Sequence, residues 1–184
     1  QTLIYYFLGM TFFDSLCHAF GTMATGGFST HSDSIKYFNN SAIEWTTIFF
    51  MFIAATNFTL HYIFVGKGKF KYFKNEEFRI YFYLIIFMSL FVFANLINNK
   101  IYSFDFNAIR HAFFTVISLV TTTGYTTENF EIWPNFSVMI CFFLLFVGGT
   151  AGSTTGGIKI IRTLLIFKYL FYELKRLIHP NGIY

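Results

Sequence analysis

The chain has 184 residues and a formal net charge of +4, with 55% hydrophobic residues, 23% aromatics (29 of them Phe) and only 12% charged residues. Soluble domains carry about 25% charged residues, so this composition excludes a water-soluble globule, and it also excludes disordered, collagen-like and solenoid chains. A membrane protein remains.

Taken in chain order, the first residues show no basic region ahead of an apolar core and no charged side chain before Asp14. No targeting segment is visible, and the chain reads as an excerpt that starts inside a longer one. The stretch 11–23 has a helical pattern but only 13 residues, roughly 20 Å at 1.5 Å per residue and short of a hydrocarbon layer about 30 Å thick. Asp14, just ahead of Ser15 and the apolar run, reads as its N-cap. The run 42–65 is a clean spanning candidate without Lys or Arg. Asn57, well inside it, needs a partner, by default an interhelix bond. A basic joint, 66–79, leads to a second clean span, 80–98. The stretch 106–121 is again short and, like 11–23, ends in a polar Gly-containing turn. The run 135–147 meets a Gly-rich break, 148–157, and resumes at 158–172 as a broken helix, followed by a tail, 173–184. Cys17 and Cys141 both sit in apolar stretches and read as buried free thiols.

Charge decides the topology. Lys67, Lys69, Lys71, Lys74 and Arg79, with Lys159, Arg162, Lys168, Lys175 and Arg176, are ten of the 13 basic residues. If 106–121 spanned, the two clusters would lie on opposite sides and break the positive-inside bias. If it dips in and returns, both 66–79 and 159–184 are cytoplasmic, and Glu128 and Glu131 are outside. The re-entrant reading follows, and non-helical backbone at membrane depth must then be enclosed by protein or line a watery path.

The turns Ala24-Thr25-Gly26-Gly27-Phe28-Ser29-Thr30 and Thr121-Thr122-Thr123-Gly124-Tyr125-Thr126-Thr127 align at an offset of 97 residues. Each follows a short helix and precedes an apolar one, so the chain holds an internal repeat that starts part-way through its first copy. A cation leaving water must exchange its hydration shell for oxygens, and potassium-channel filters supply a row of backbone carbonyls from Thr-Val-Gly-Tyr-Gly loops. Thr122-Thr123-Gly124-Tyr125 follows that pattern, with Gly124 giving the backbone the freedom it needs. The candidate ion-binding residues are therefore Thr25, Gly26, Gly27, Thr122, Thr123 and Gly124, with potassium as substrate at these positions alone and no cofactor.

Four stretches carry a family resemblance: 18–31 (HAFGTMATGGFSTH), 121–134 (TTTGYTTENFEIWP), 148–162 (GGTAGSTTGGIKIIR) and 173–180 (ELKRLIHP). Through them the chain resembles the TrkH/KtrB-type potassium-translocating membrane subunits, related to plant high-affinity potassium transporters. The resemblance implies an all-α membrane protein in which membrane-helix, pore-helix, filter-loop and membrane-helix repeats surround one pore, with four repeats in a whole subunit. By motif order, 1–65 corresponds to the second repeat with its first helix truncated and 80–172 to the third, joined by the cytoplasmic linker 66–79 and followed by the cytoplasmic tail 173–184. It further implies a bacterial inner-membrane location, the two remaining repeats of the parent chain, a homodimer and a cytosolic nucleotide-binding regulatory subunit as partners. Membrane lipid is a partner on composition alone, and nothing suggests nucleic acid.

In the family, the segment matching 148–157 is an intramembrane gate. The residues agree independently: Gly148, Gly149, Gly152, Gly156 and Gly157, with Thr150, Ser153, Thr154 and Thr155, disfavour helix at that depth. A simple helix kink remains the rival. A phosphate-cradling loop is not favoured, because Gly157 is followed by Ile158 before Lys159 rather than by the Gly-Lys-Ser/Thr that such loops need. Lys159 and Arg162 read equally as gate-side charges or as cytoplasmic anchors. Asp33, Glu128 and Glu131 read as a cation-attracting mouth or as plain solvated surface, and the five His suit packing better than a metal site. No nucleophile-base pair or carboxylate dyad lies at membrane depth, so an enzyme is disfavoured. A sodium-permeable relative is the closer alternative.

Overall fold

The structure is a computed structural model and describes residues 1–178; the end of the tail, with His179, lies outside the described residues. Among the described residues the architecture is helical, with α1 (Thr2–Phe7), α2 (Phe12–Met23), α3 (Ser41–Ala54), α4 (Phe58–Lys67), α5 (Glu76–Asn98), α6 (Phe106–Val120), α7 (Asn135–Leu144) and α8 (Ile160–Ile178). The two repeats are visible in the packing. Helix α1 lies against α2 and α3 as α5 lies against α6 and α7, and α3 packs on α6 to join the halves. Polar ties repeat as well: the Tyr5 hydroxyl meets that of Thr47 at 2.8 Å, and Ser137 donates to Asn95 at 2.8 Å. Met51, Tyr81, Val92, Leu96, Phe114, Val116 and Val120 are buried in the core.

Helix α5 is long and apolar enough to cross a membrane. It begins at Glu76, earlier than the predicted span, because Asn75 caps it by accepting the Phe78 amide at 2.9 Å. The predicted span 42–65 is not one rod: α3 and α4 are bent by 96°. The reason lies in who takes the backbone groups at 54–59. In a continuous helix the Ala54 and Ala55 carbonyls would accept from Phe58 and Thr59. Instead Thr154 donates to Ala54 through its hydroxyl (3.2 Å), and Thr150 donates to Ala55 through its amide and hydroxyl (3.0 and 3.1 Å). The Phe58 amide donates to Gly152, and the Thr59 amide to the Asn57 side chain at 2.8 Å. Asn57 is thus the N-cap of α4, not the donor of an interhelix bond. His61 backs the bend: Nε2 faces the Ile53 carbonyl, so the Tyr72 hydroxyl donates to Nδ1 at 2.8 Å.

At the start of α2 the cap is Thr11, not Asp14. Its hydroxyl oxygen accepts the Asp14 amide at 3.1 Å, which places Asp14 in the first turn, where a carboxylate complements the helix dipole.

Helices α3 and α6 are joined by a buried ion pair, with Arg110 Nε donating to Glu44 at 2.7 Å and the two side chains 13% and 6% exposed. Removing one partner leaves the other charge buried and alone, at a cost of about 3 kcal/mol. Arg110→Ala in the full-length parent is therefore expected to lower the thermal midpoint of the detergent-solubilised protein. Replacing Glu44 and Arg110 together by Leu and Met is expected to recover most of the loss; a double variant as unstable as the single one overturns this account.

Candidate functional site

The two Gly turns have the same backbone course. In the first, the Gly26 and Gly27 amides both donate to the Gly21 carbonyl; in the second, those of Thr123 and Gly124 both donate to Ser118, also 97 residues on. Thr25 donates to Thr22 as Thr122 donates to Leu119. Left-handed φ recurs at matching places, +51° and +53° at Thr25 and Thr122, +66° and +81° at Gly27 and Gly124. A left-handed residue at every second position keeps successive carbonyls from alternating as they do in a strand. The cost for a non-Gly residue, about 1–2 kcal/mol, falls on both Thr positions.

The turns come together. A Cβ built on Gly27 would overlap the Thr123 carbonyl oxygen, so only glycine permits this approach, whereas one on Gly124 meets nothing within 4 Å. Tyr125 braces the contact from behind: it is 2% exposed, and its hydroxyl donates to the Phe28 carbonyl at 3.2 Å. Its counterpart Phe28 is 83% exposed. His18 holds the next residue, with Nδ1 donating to the Asp14 carbonyl and Nε2 accepting from Ser29 at 2.9 Å. Asp14 and His111, equivalent across the repeat, each hold the equivalent Thr: Thr30 donates to Asp14 at 2.5 Å, and His111 Nδ1 meets Thr127 at 3.3 Å. The histidines are thus polar braces.

Beneath the turns lies the Gly-rich segment. Gly148, Gly149 and Thr150 are buried, and Gly148 donates to Ile158 while Ile158 donates back to Phe146. A Cβ on Gly149 would stand 2.6 Å from the Ala55 carbonyl oxygen, and one on Gly148 would overlap that of Gly156. These glycines allow close approach; they do more than interrupt a helix. Besides its bonds to the α3 break, the segment is tied by Gly149 donating to Thr155 and Ser153 donating to the Thr150 carbonyl. Gly156 donates to the Thr122 hydroxyl at 2.8 Å, linking the segment to the upper turn.

Sequence reasoning left Lys159 open and missed Glu77. The Lys159 ammonium folds back onto the segment, donating to both oxygens of Thr155 and to the Ser153 hydroxyl, so it is not a plain anchor. Glu77 accepts the Ala151 amide of the segment. Its available signal was the Asn75-Glu76-Glu77 helix start within a basic joint. Among the described residues, no group of three His, Cys, Asp or Glu stands close enough to hold a metal.

Residues 6–184 match the TrkH family, described as cation transport protein. The chain is 41% identical over 183 residues to the Trk system potassium uptake protein TrkH of Vibrio parahaemolyticus, covering 98% of this chain and 38% of that protein. It is 40% identical to the TrkH of Escherichia coli over 187 residues (99% and 38%), and 36% identical to the Trk system potassium uptake protein TrkG of E. coli over 181 (97% and 37%). The chain thus spans less than two-fifths of the length of these relatives. Its fold matches the crystal structure of the potassium transporter TrkH from V. parahaemolyticus with a TM-score of 0.93 at 41% identity, over 100% of this chain and 40% of that one. With the family matched to the last residue and the helices superposing on a solved transporter, the chain belongs to the TrkH family of membrane cation transport proteins.

Proposed function

We propose that the chain contributes two pore-forming repeats to a potassium uptake protein. Potassium passes along a path lined by the carbonyls of Thr25, Gly26, Gly27, Thr122, Thr123 and Gly124, and the segment holding Gly148, Gly149, Gly152, Ser153, Thr154, Thr155, Gly156 and Gly157 gates it. One observation carries this reading: two turns of the same left-handed course meet at Gly27 and Thr123. Such turns offer a dehydrating cation oxygens without a fixed negative charge, which suits a monovalent ion that must leave again. The relatives' names, potassium uptake proteins, point the same way. Potassium is substrate, no cofactor takes part, and no chemical step occurs.

The parent protein lies in the bacterial inner membrane, with 66–79 and 159–184 on the cytoplasmic side. Its partners are lipid, two further repeats of the same polypeptide, a second copy in a homodimer, and a cytosolic nucleotide-binding regulator that the basic inner surface suits electrostatically. The test is rubidium uptake by potassium-starved cells that express the full-length parent. Saturable uptake that equimolar sodium leaves unaffected is expected. Equal competition by sodium favours a sodium-permeable transporter, and no ion uptake overturns the reading.

A further inference from the structure

Glu77 belongs to neither the turns nor the Gly-rich segment, yet it holds the segment in place. It lies in the first turn of α5 and is 6% exposed. One carboxylate oxygen accepts the Ala151 amide at 2.7 Å and the Ile161 amide at 3.1 Å. Ala151 is inside the segment, while Ile161 is in the first turn of α8, where amides lack intrahelical acceptors and the helix end carries partial positive charge. A single oxygen therefore clamps the segment and the helix that follows it onto α5. The neighbouring pair, Lys168 with Glu76 at 2.7 Å, also ties α8 to α5, but both side chains are more than half exposed, and pairs of that kind hold little. The buried, charge-assisted contact is the stronger one.

We propose that Glu77 is a positioning residue that latches the segment 148–157 to α5, so that movement of the basic joint 66–79, which ends in Glu77's own helical turn, is passed directly to the segment. The latch rests on the reading of that segment as the gate. Glu77→Ala removes the acceptor and leaves two part-buried amides without it, which disfavours the seated segment. Glu77→Gln keeps an oxygen but loses the charge, so its effect is intermediate.

The experiment uses the full-length parent in liposomes, reading rubidium influx, sodium competition, and labelling of Ala151→Cys by a thiol reagent applied from the cytoplasmic side. Flux and labelling are expected to rise in the order parent, Glu77→Gln, Glu77→Ala, by about tenfold for Ala, with ion preference unchanged. A deletion within 148–157 runs alongside. If the deletion raises flux while both Glu77 variants keep parental flux and labelling, the latch is wrong and the gate stands. If the deletion leaves flux unaltered, the gate reading fails by itself. Lower flux in the Glu77 variants, or altered preference, also overturns the latch. Should Glu77→Ala not reach the membrane, parental labelling in Glu77→Gln suffices to reject it.

Discussion

Gly27→Ser in the full-length parent is expected to lower the preference for potassium over sodium by at least about tenfold, equivalent to 1.4 kcal/mol of differential stabilisation. Two effects combine. The residue sits at φ +66°, where a side chain costs roughly 1 kcal/mol, and its Cβ would overlap the Thr123 carbonyl oxygen, a backbone atom that a rotamer change cannot remove. The upper turns must then part, and the proposed ligands move with them. Gly124→Ser makes the comparison, because φ there is +81° but a Cβ meets nothing within 4 Å. Its effect should be clearly smaller, since only the backbone cost applies. Relative permeability measured for both variants separates the contributions: equal losses discard the close approach as the cause, and unchanged preference in both discards the filter.

Shortening the segment 148–157 is expected to raise rubidium flux several-fold while leaving preference nearly intact. The segment is seated by polar bonds to Ala54, Ala55, Glu77 and Phe58, the neutral ones each contributing a net 0.5–1.5 kcal/mol or so. Such a seat can be lost as a unit, and water in the path can take over the freed groups. Gly149→Ala tests the same seat without deleting anything: its methyl would stand 2.6 Å from the Ala55 carbonyl oxygen, so the segment is displaced and flux should again rise. A small change in preference is expected through the Gly156–Thr122 bond, well below that of Gly27→Ser. The measurement is rubidium uptake with graded sodium. Unchanged flux in both variants makes the segment a kink, and a preference loss matching the flux gain makes it a filter support.

Both turns, their spacing and the short helices ahead of them were legible because each rests on local chemistry: Gly where φ is positive, Thr beside it, an apolar stripe too short to span. The 96° bend was not, since 42–65 holds no Gly, Pro, Lys or Arg and Asn57 alone does not break a helix. Acceptors and donors arriving from residues 150–154 break it, and a contact so distant leaves no periodicity to read. Glu77 was hidden for a related reason. Set among Lys67, Lys69, Lys71, Lys74 and Arg79, it reads as one more charge of a solvated joint, and only the position of Ala151 makes it a buried acceptor. Asp14 was misread because Thr11, itself a capping residue type, stands three positions earlier.

The reciprocal bonding of the two helix breaks bears on how the protein is made. The Ala55 carbonyl waits for Thr150, 95 residues later in the chain, and the Phe58 amide waits for Gly152. At roughly 5–20 residues per second of synthesis, that is about 5–20 s during which the earlier bend has no partner. A nascent chain in that interval has a cheaper option, a straight α3–α4 helix with every backbone group paired within itself. The bend therefore depends on contacts that only the second repeat can supply.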